Sequence, residues 1–178
     1  MALEPRDEDR TALAAWRDEL VTGRDDLRPV AAETLHLTLA FLGYRPEREI
    51  SAIAQAAFAA AKRLPPAVLT PSDVVALPRR GPRLFALDLD DEDARAAQIQ
   101  VATSGALAAE RFYRPEKREW WPHVTLARVK RGRRAAPLEP ATPAPGPLRG
   151  ELVTVYRSTL RPQGALYEPL ERIRLPYG

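Results

Sequence analysis

The feature of this 178-residue sequence that most constrains its fold is an internal repeat. Residues 2–9 and 86–93 are identical at five of eight positions, at an offset of 84. A second match joins His36 and His123, each followed by x-Thr-Leu-Ala, at an offset of 87. Self-similarity at a nearly constant offset indicates duplicated structural units. Coincidence between short alanine-rich and acidic segments is the alternative.

The repeat predicts how the chain is organised. We expect a single bilobal domain over residues 1–178, with approximate repeats at 1–43 and 84–130. In the second copy, residues 83–85 lengthen the strand that precedes the acidic segment. The first copy has no counterpart of this stretch, so the repeat predicts a short or missing first strand.

The spacing of apolar residues predicts helices and strands in mixed order. Apolar residues three and four apart indicate helices, and alternation indicates strands. The predicted helices are 7–21, 46–63 and 90–111, and the predicted strands are 35–42, 68–77, 83–89, 121–129, 152–160 and 167–175. We expect a turn at 162–164 and an extended proline-rich loop at 135–149. This order suits an α+β or an α/β layered fold and does not separate the two.

Each His-x-Thr segment lies on a predicted strand and presents both polar side chains on one face. Side chains at positions i and i+2 of a strand point the same way, which groups His36 with Thr38 and His123 with Thr125. The opposite face of the first strand carries an apolar row and is predicted to be buried. That row is Leu35, Leu37, Leu39 and Phe41.

Two imidazoles and two hydroxyls facing each other across a groove suit acid–base catalysis on a phosphodiester. One neutral imidazole can deprotonate the attacking oxygen, and one imidazolium can protonate the leaving oxygen. The hydroxyls can donate to non-bridging phosphate oxygens. Two alternatives remain open: histidines that are only structural, and a two-histidine metal site. The second would need a third ligand, and neither strand offers a carboxylate beside its histidine.

Composition narrows the chemistry further. The chain has no cysteine, which excludes disulfides, thiolate metal sites and cysteine nucleophiles. His36 and His123 are its only histidines, so a base working near neutral pH must largely be one of them. The net charge of +3 permits an anionic partner. Basic residues crowd 79–83, 114–118 and 128–134, which are either solvated loops or a rim for a phosphate-bearing ligand.

The sequence also argues against a membrane or an exported location. No apolar run approaches the length of a membrane helix. The first ten residues are charged and lack the apolar core of a secretory signal. We therefore expect no membrane association and a cytoplasmic location.

The paired motif resembles the 2H phosphoesterase superfamily, and its flanks are similar to the RNA 2′,3′-cyclic phosphodiesterase branch, also called 2′-5′ RNA ligase or LigT-like. The segments that carry the resemblance run nearly end to end and are 35–43, 122–128, 156–160 and 164–170. The resemblance implies an α+β fold with two lobes in a pseudo-twofold arrangement. Antiparallel-rich sheets would carry helices on the outside and enclose a central groove with the active site.

The resemblance also implies an activity and its residues. The activity is hydrolysis of a nucleoside 2′,3′-cyclic phosphate to the 2′-phosphate, with no cofactor and no metal. His36 would donate a proton to the departing 3′ oxygen, and His123 would activate water. Thr38 and Thr125 would hold the phosphate, aided by Arg128. Strict alternation puts Arg128 on the opposite face from His123, so the strand must end, twist or bulge there.

The implied partners are RNA or nucleotides with 2′,3′-cyclic phosphate ends, and we expect a monomer. Trp120 and Trp121 precede the second motif, and either could stack on a nucleobase. Trp121 lies two residues before His123, so on a strand the two side chains share a face and Trp121 is the better candidate. Ordinary packing is the alternative. Three other functions remain open: hydrolysis of another cyclic phosphate, such as one derived from ADP-ribose; ligation of RNA halves; and non-catalytic binding of RNA ends.

Overall fold

The structure, a computed structural model, describes residues 1–161 and 164–177. These residues form three α-helices and eight β-strands. The helices are α1 (Asp7–Leu20), α2 (Ile50–Ala61) and α3 (Arg95–Ala109). The strands are β1 (Ala2–Pro5), β2 (Leu27–Pro29), β3 (Leu37–Thr38), β4 (Ala67–Leu77), β5 (Leu84–Asp90), β6 (His123–Val129), β7 (Leu148–Arg161) and β8 (Gly164–Arg174).

The strands pair antiparallel throughout the described residues, which confirms the predicted α+β class. The sheet runs in the order β1-β3-β6-β5-β4-β7-β8, and β2 pairs with β6. A further pairing of β1 with β7 closes six of these strands into a ring. The predicted halves therefore share one continuous sheet. The core between this sheet and the three helices includes Leu37, Val124, Leu13, Ile53 and Ile99.

Strand registers repeat between the two halves. Ala2 pairs with Thr38 in the first half, and Ala86 pairs with Thr125 in the second. These are the residues that the sequence repeat matches, at offsets of 84 and 87. Both halves thus place their acidic segment after a strand that pairs, in the same register, with the strand of the His-x-Thr motif.

The two motif strands also pair with each other. Leu37 of β3 lies opposite Val124 of β6, and these two residues are equivalent in the repeat. An antiparallel pair whose matched residues are equivalent has a local twofold axis between them. We infer a pseudo-twofold axis that passes between Leu37 and Val124.

The first strand is short, as the repeat predicts. β1 has four residues, whereas its counterpart β5 has seven. All four are buried and pair with β7, and Ala2 and Leu3 also pair with β3 on the other side. β1 is therefore short but central to the sheet.

The strand around His36 differs most from its prediction. Alternation over 35–42 predicts eight residues, but only Leu37–Thr38 form a regular strand. The regular ladder stops because the next two amides, of Leu39 and Ala40, donate to the same carbonyl oxygen. The buried row holds through Leu39, but Phe41 is 65% exposed, which corrects its predicted burial.

Other boundaries move by a few residues for local reasons. α3 begins at Arg95 rather than at residue 90, because the Asp91 carboxylate accepts hydrogen bonds from the Ala96 and Ala97 amides at the helix start. In α2 the first predicted turn is a 3₁₀ turn, Glu47–Glu49. β2 was not predicted. In the predicted turn at 162–164, Pro162 and Gln163 lie outside the described residues.

The proline-rich loop packs against the protein rather than extending into solvent. The Trp16 indole donates to the Thr142 carbonyl at 3.0 Å, and the side chain of Leu138 is buried. β7 begins at Leu148, so the last two residues of the predicted loop belong to this strand. Among the described residues, no helix has the length and apolar character needed to cross a membrane.

Candidate active site

One cavity of about 820 Å³ collects every side chain that the sequence predicts for the site. Its lining includes His36, Thr38, His123, Thr125 and Arg128. The motif side chains reach it from the sheet face opposite to Leu37 and Val124. A volume of this size lies toward the upper end of the range for small-molecule sites.

Register places the four motif side chains next to one another. Because Leu37 lies opposite Val124 in an antiparallel pair, the flanking positions are neighbours as well. His36 is thus beside Thr125, and Thr38 is beside His123. Each imidazole lies next to the hydroxyl of the other half. A single anionic group bound over this strand pair could therefore contact both histidines and both threonines.

A β-bulge brings Arg128 to the same face. Thr125 pairs with Ala86, but Ala127 pairs with the preceding residue, Phe85, so Leu126 is an extra residue in β6. A bulge of this kind shifts the alternation by one position. Leu126 and Ala127 are both buried, and Arg128 faces the cavity. The strand thus bulges before Arg128, which lets this side chain reach the face that carries His123.

His36 sits among aromatic rings. Its ring stacks on Tyr156 with centroids 5.3 Å apart, and Tyr167 approaches edge-on at 5.3 Å. Burial lowers the pKa of His36 to about 4, with a smaller lowering by the positive N-terminus, while the Thr34 backbone carbonyl acts in the opposite direction. Among the described residues, none meets hydrogen-bond geometry with the buried Nδ1 of His36. These surroundings favour a neutral His36.

His123 is held by Trp121 in two ways. The Nδ1 atom of His123 lies 2.8 Å from the Trp121 carbonyl oxygen, and the two rings stack with centroids 4.0 Å apart. A carbonyl can only accept, so in the neutral ring the proton is on Nδ1 and the lone pair is on Nε2. Burial lowers the pKa of His123, and the Trp121 carbonyl partly offsets this. A neutral His123 with a free Nε2 is suited to accept a proton.

An acidic residue lies behind the aromatic neighbour of each histidine. The Trp121 indole donates to an Asp88 oxygen at 2.6 Å. On the other side, burial raises the pKa of Tyr156, and the buried Glu4 carboxylate raises it further. Glu4 and Asp88 are equivalent in the repeat. The two halves thus share an arrangement of acid, aromatic ring and histidine.

Sequence reasoning missed Tyr156, Tyr167 and Asp88 as neighbours of the histidines. The conservative match of Glu4 with Asp88 was the available signal, and it did not show which side chains they approach. Trp121 lies in the cavity lining, as its position two residues before His123 predicts, but its ring stacks on His123. Trp120 also lines the cavity and donates to the Thr38 carbonyl at 2.9 Å.

The metal alternative finds no third ligand in the described part of the chain. No group of three or more histidine, cysteine, aspartate or glutamate side chains is arranged there to hold a metal ion. Besides the two histidines, the cavity lining carries the motif hydroxyls, aromatic rings, Arg128 and two carboxylates, Glu116 and Glu119.

Comparison with known proteins gives matching relatives. Residues 3–84 match the sequence model of a family described as LigT like Phosphoesterase. The chain is 30% identical over 144 residues to the RNA 2′,3′-cyclic phosphodiesterase of Thermotoga maritima. The aligned region covers 79% of this chain and 75% of that protein.

Solved structures agree with these sequence matches. The protein TT0787 of Thermus thermophilus superposes with a TM-score of 0.78 and 29% identity, covering 98% of this chain and 95% of that one. E. coli LigT complexed with 3′-AMP superposes with a TM-score of 0.71 and 26% identity, covering 98% and 95% of the two chains. These likenesses span almost the whole chain, including both His-x-Thr segments.

Proposed function

This chain belongs to the LigT-like family of 2H phosphoesterases, and we propose that it hydrolyses RNA and nucleoside 2′,3′-cyclic phosphates to 2′-phosphates without a metal ion. The observation that carries the proposal is the register of β3 and β6, which sets two His-x-Thr pairs side by side in one cavity. The name of the Thermotoga relative supports the substrate class. The 3′-AMP complex of E. coli LigT supports a nucleotide in a related site.

In the proposed mechanism, the two histidines act on opposite sides of phosphorus. The Nε2 atom of His123 takes a proton from water as the water oxygen bonds to phosphorus. The bond between phosphorus and O3′ breaks, and protonated His36 gives its proton to O3′. The phosphate remains on O2′. The two histidines exchange their protonation states in the step, and proton exchange with solvent restores them.

The remaining cavity side chains stabilise charge on the phosphate. The Thr38 and Thr125 hydroxyls donate to non-bridging oxygens, where charge builds up as water adds. Arg128 adds a guanidinium on the same face. A bound phosphate anion raises the pKa of a nearby imidazole, so substrate binding favours the protonated His36 that the mechanism requires.

The test of this proposal is product identification with a panel of substrates. The purified protein is incubated with the four nucleoside 2′,3′-cyclic phosphates, with a cyclic phosphate derived from ADP-ribose and with RNA halves, in the presence of EDTA. We expect 2′-phosphates from the nucleoside substrates at a rate that EDTA leaves unchanged. Release of 3′-phosphates, loss of activity in EDTA, or binding without turnover would each contradict the proposal.

A further inference from the structure

Two arginines lie directly opposite each other at the end of β6. Arg28 of β2 pairs with Arg128 of β6, so their side chains project from the same face. Both are half-buried, and both line the active-site cavity. The two residues are far apart in the sequence, so only the pairing of β2 with β6 brings them together.

This arginine pair has no anionic partner in residues 1–161 and 164–177. Neither guanidinium takes part in a salt bridge or a side-chain hydrogen bond there. Arg24, four residues before Arg28, is by contrast paired with Asp26 at 2.8 Å. Like charges directly opposite in a sheet destabilise it. Two adjacent unpaired cations in a cavity are the arrangement expected where an anion binds.

Both arginines leave the backbone at some distance from the reacting centre, and only Arg128 is assigned to the reacting phosphate. The pseudo-twofold axis passes by Val124, and Arg128 lies four residues further along β6, a span that the bulge at Leu126 shortens to about 10 Å of strand. β2 pairs with β6 only over residues 127–129, beyond the His-x-Thr motif. The cavity reaches both places. One phosphate held between the histidines therefore leaves Arg28 available for another.

We propose that Arg28 binds a second phosphate of the substrate, the one that joins the terminal nucleotide to the rest of an RNA chain, while Arg128 beside it serves the phosphate between the histidines. This inference rests on the proposed function. A nucleotide ending in a 2′,3′-cyclic phosphate can carry a further phosphate only on its 5′ side. The protein would then prefer the end of an RNA chain to a free cyclic mononucleotide. Guanidinium groups bind phosphate oxygens through paired N–H donors.

The experiment compares three substrates: a cyclic mononucleotide, the same nucleotide with a 5′-phosphate, and a dinucleotide with a 2′,3′-cyclic end. We expect the wild type to prefer the dinucleotide by about tenfold or more in kcat/KM, the value of one charge-assisted contact. Arg28→Gln should reduce this preference to near one. It should also lower the slope of log KM against log salt for the dinucleotide by about 0.7.

The matched control is Arg63→Gln, which removes one charge from an exposed arginine that follows α2 and does not line the cavity. It should keep the dinucleotide preference. If Arg28→Gln lowers kcat/KM by the same factor for all three substrates, the subsite is overturned. Preference for the 5′-phosphorylated mononucleotide alone would overturn the assignment to an RNA chain.

Binding separates failure of this inference from failure of the proposed function. The same three compounds are titrated against a His36→Ala/His123→Ala variant, with and without Arg28→Gln. Tighter binding of the dinucleotide that depends on Arg28 supports the subsite, even if the wild type hydrolyses none of the three. Equal binding of the mononucleotide and dinucleotide overturns the subsite, whether or not hydrolysis occurs.

Discussion

At the residue scale, the two histidines have different surroundings although their motifs are equivalent. His36 lies between Tyr156 and Tyr167, whereas His123 is fixed by the Trp121 carbonyl and stacks on the Trp121 ring. Burial lowers the pKa of both. A cyclic phosphate is itself unsymmetrical, with one bond forming and one breaking. The different surroundings allow one imidazole to act as acid and the other as base.

These pKa directions predict an acidic optimum for kcat/KM, which reports the free enzyme. His123 must be neutral, and its pKa lies below 6.5, so its activity is lost as pH falls through that pKa. His36 must be protonated, and its pKa of about 4 means that its activity is lost as pH rises above that value. The profile should be a bell with both limbs below pH 6.5.

The pH profile of kcat provides the internal control. Because the bound anion raises the imidazole pKa values, the kcat profile should lie at higher pH than the kcat/KM profile. Initial rates over pH 3.5–9, with folding followed by circular dichroism, supply both curves. A kcat/KM optimum above pH 7 would contradict the assigned roles in the free protein.

At the element scale, sheet alternation explains which site residues could be predicted. The i and i+2 rule placed each histidine with its threonine on one face. It could not place Arg128, because the bulge at Leu126 depends on how β6 pairs with β5. Tyr156 and Tyr167 reach His36 only through the pairing of distant strands, which local patterns do not encode. The strand predicted at 35–42 was too long because regular pairing depends on its partners.

The junction where β7 changes partners offers a stability test. Gly150 pairs with Pro5 of β1 and with Ala67 of β4. A Cβ atom added there would lie 2.7 Å from Cδ2 of Leu3, a fully buried side chain. Gly150→Ala should therefore lower the free energy of unfolding by about 1–3 kcal/mol, the usual cost of overpacking.

The matched control for this test is Gly105→Ala in α3. No heavy atom lies within 4 Å of a Cβ added there, so the variant should raise the free energy of unfolding by about 0.5–1 kcal/mol through helix propensity. Urea denaturation measures both variants. A Gly150→Ala variant at least as stable as the wild type would show that β1 and β7 do not pack as described.

At the scale of the whole molecule, the active site lies on the inferred axis that relates the two halves. Each half contributes one imidazole and one hydroxyl, and the pairing of β3 with β6 joins them. The repeat made this relation predictable from sequence. The ring closed by β1 and β7, and the approach of β2 to the end of β6, were not predictable because they join segments outside the repeated motifs. Both histidine motifs thus belong to strands of the same closed ring.

The central claim is that His36 and His123 act together as one acid–base pair. The most direct measurement is the kcat for hydrolysis of adenosine 2′,3′-cyclic phosphate by the wild type, His36→Ala, His123→Ala and the double variant, each checked for folding. We expect each single substitution to lower kcat by about 10²–10⁴-fold. The double variant should be little slower than the slower single variant, because groups that act as a unit are not additive. Wild-type turnover by either single variant would contradict the account.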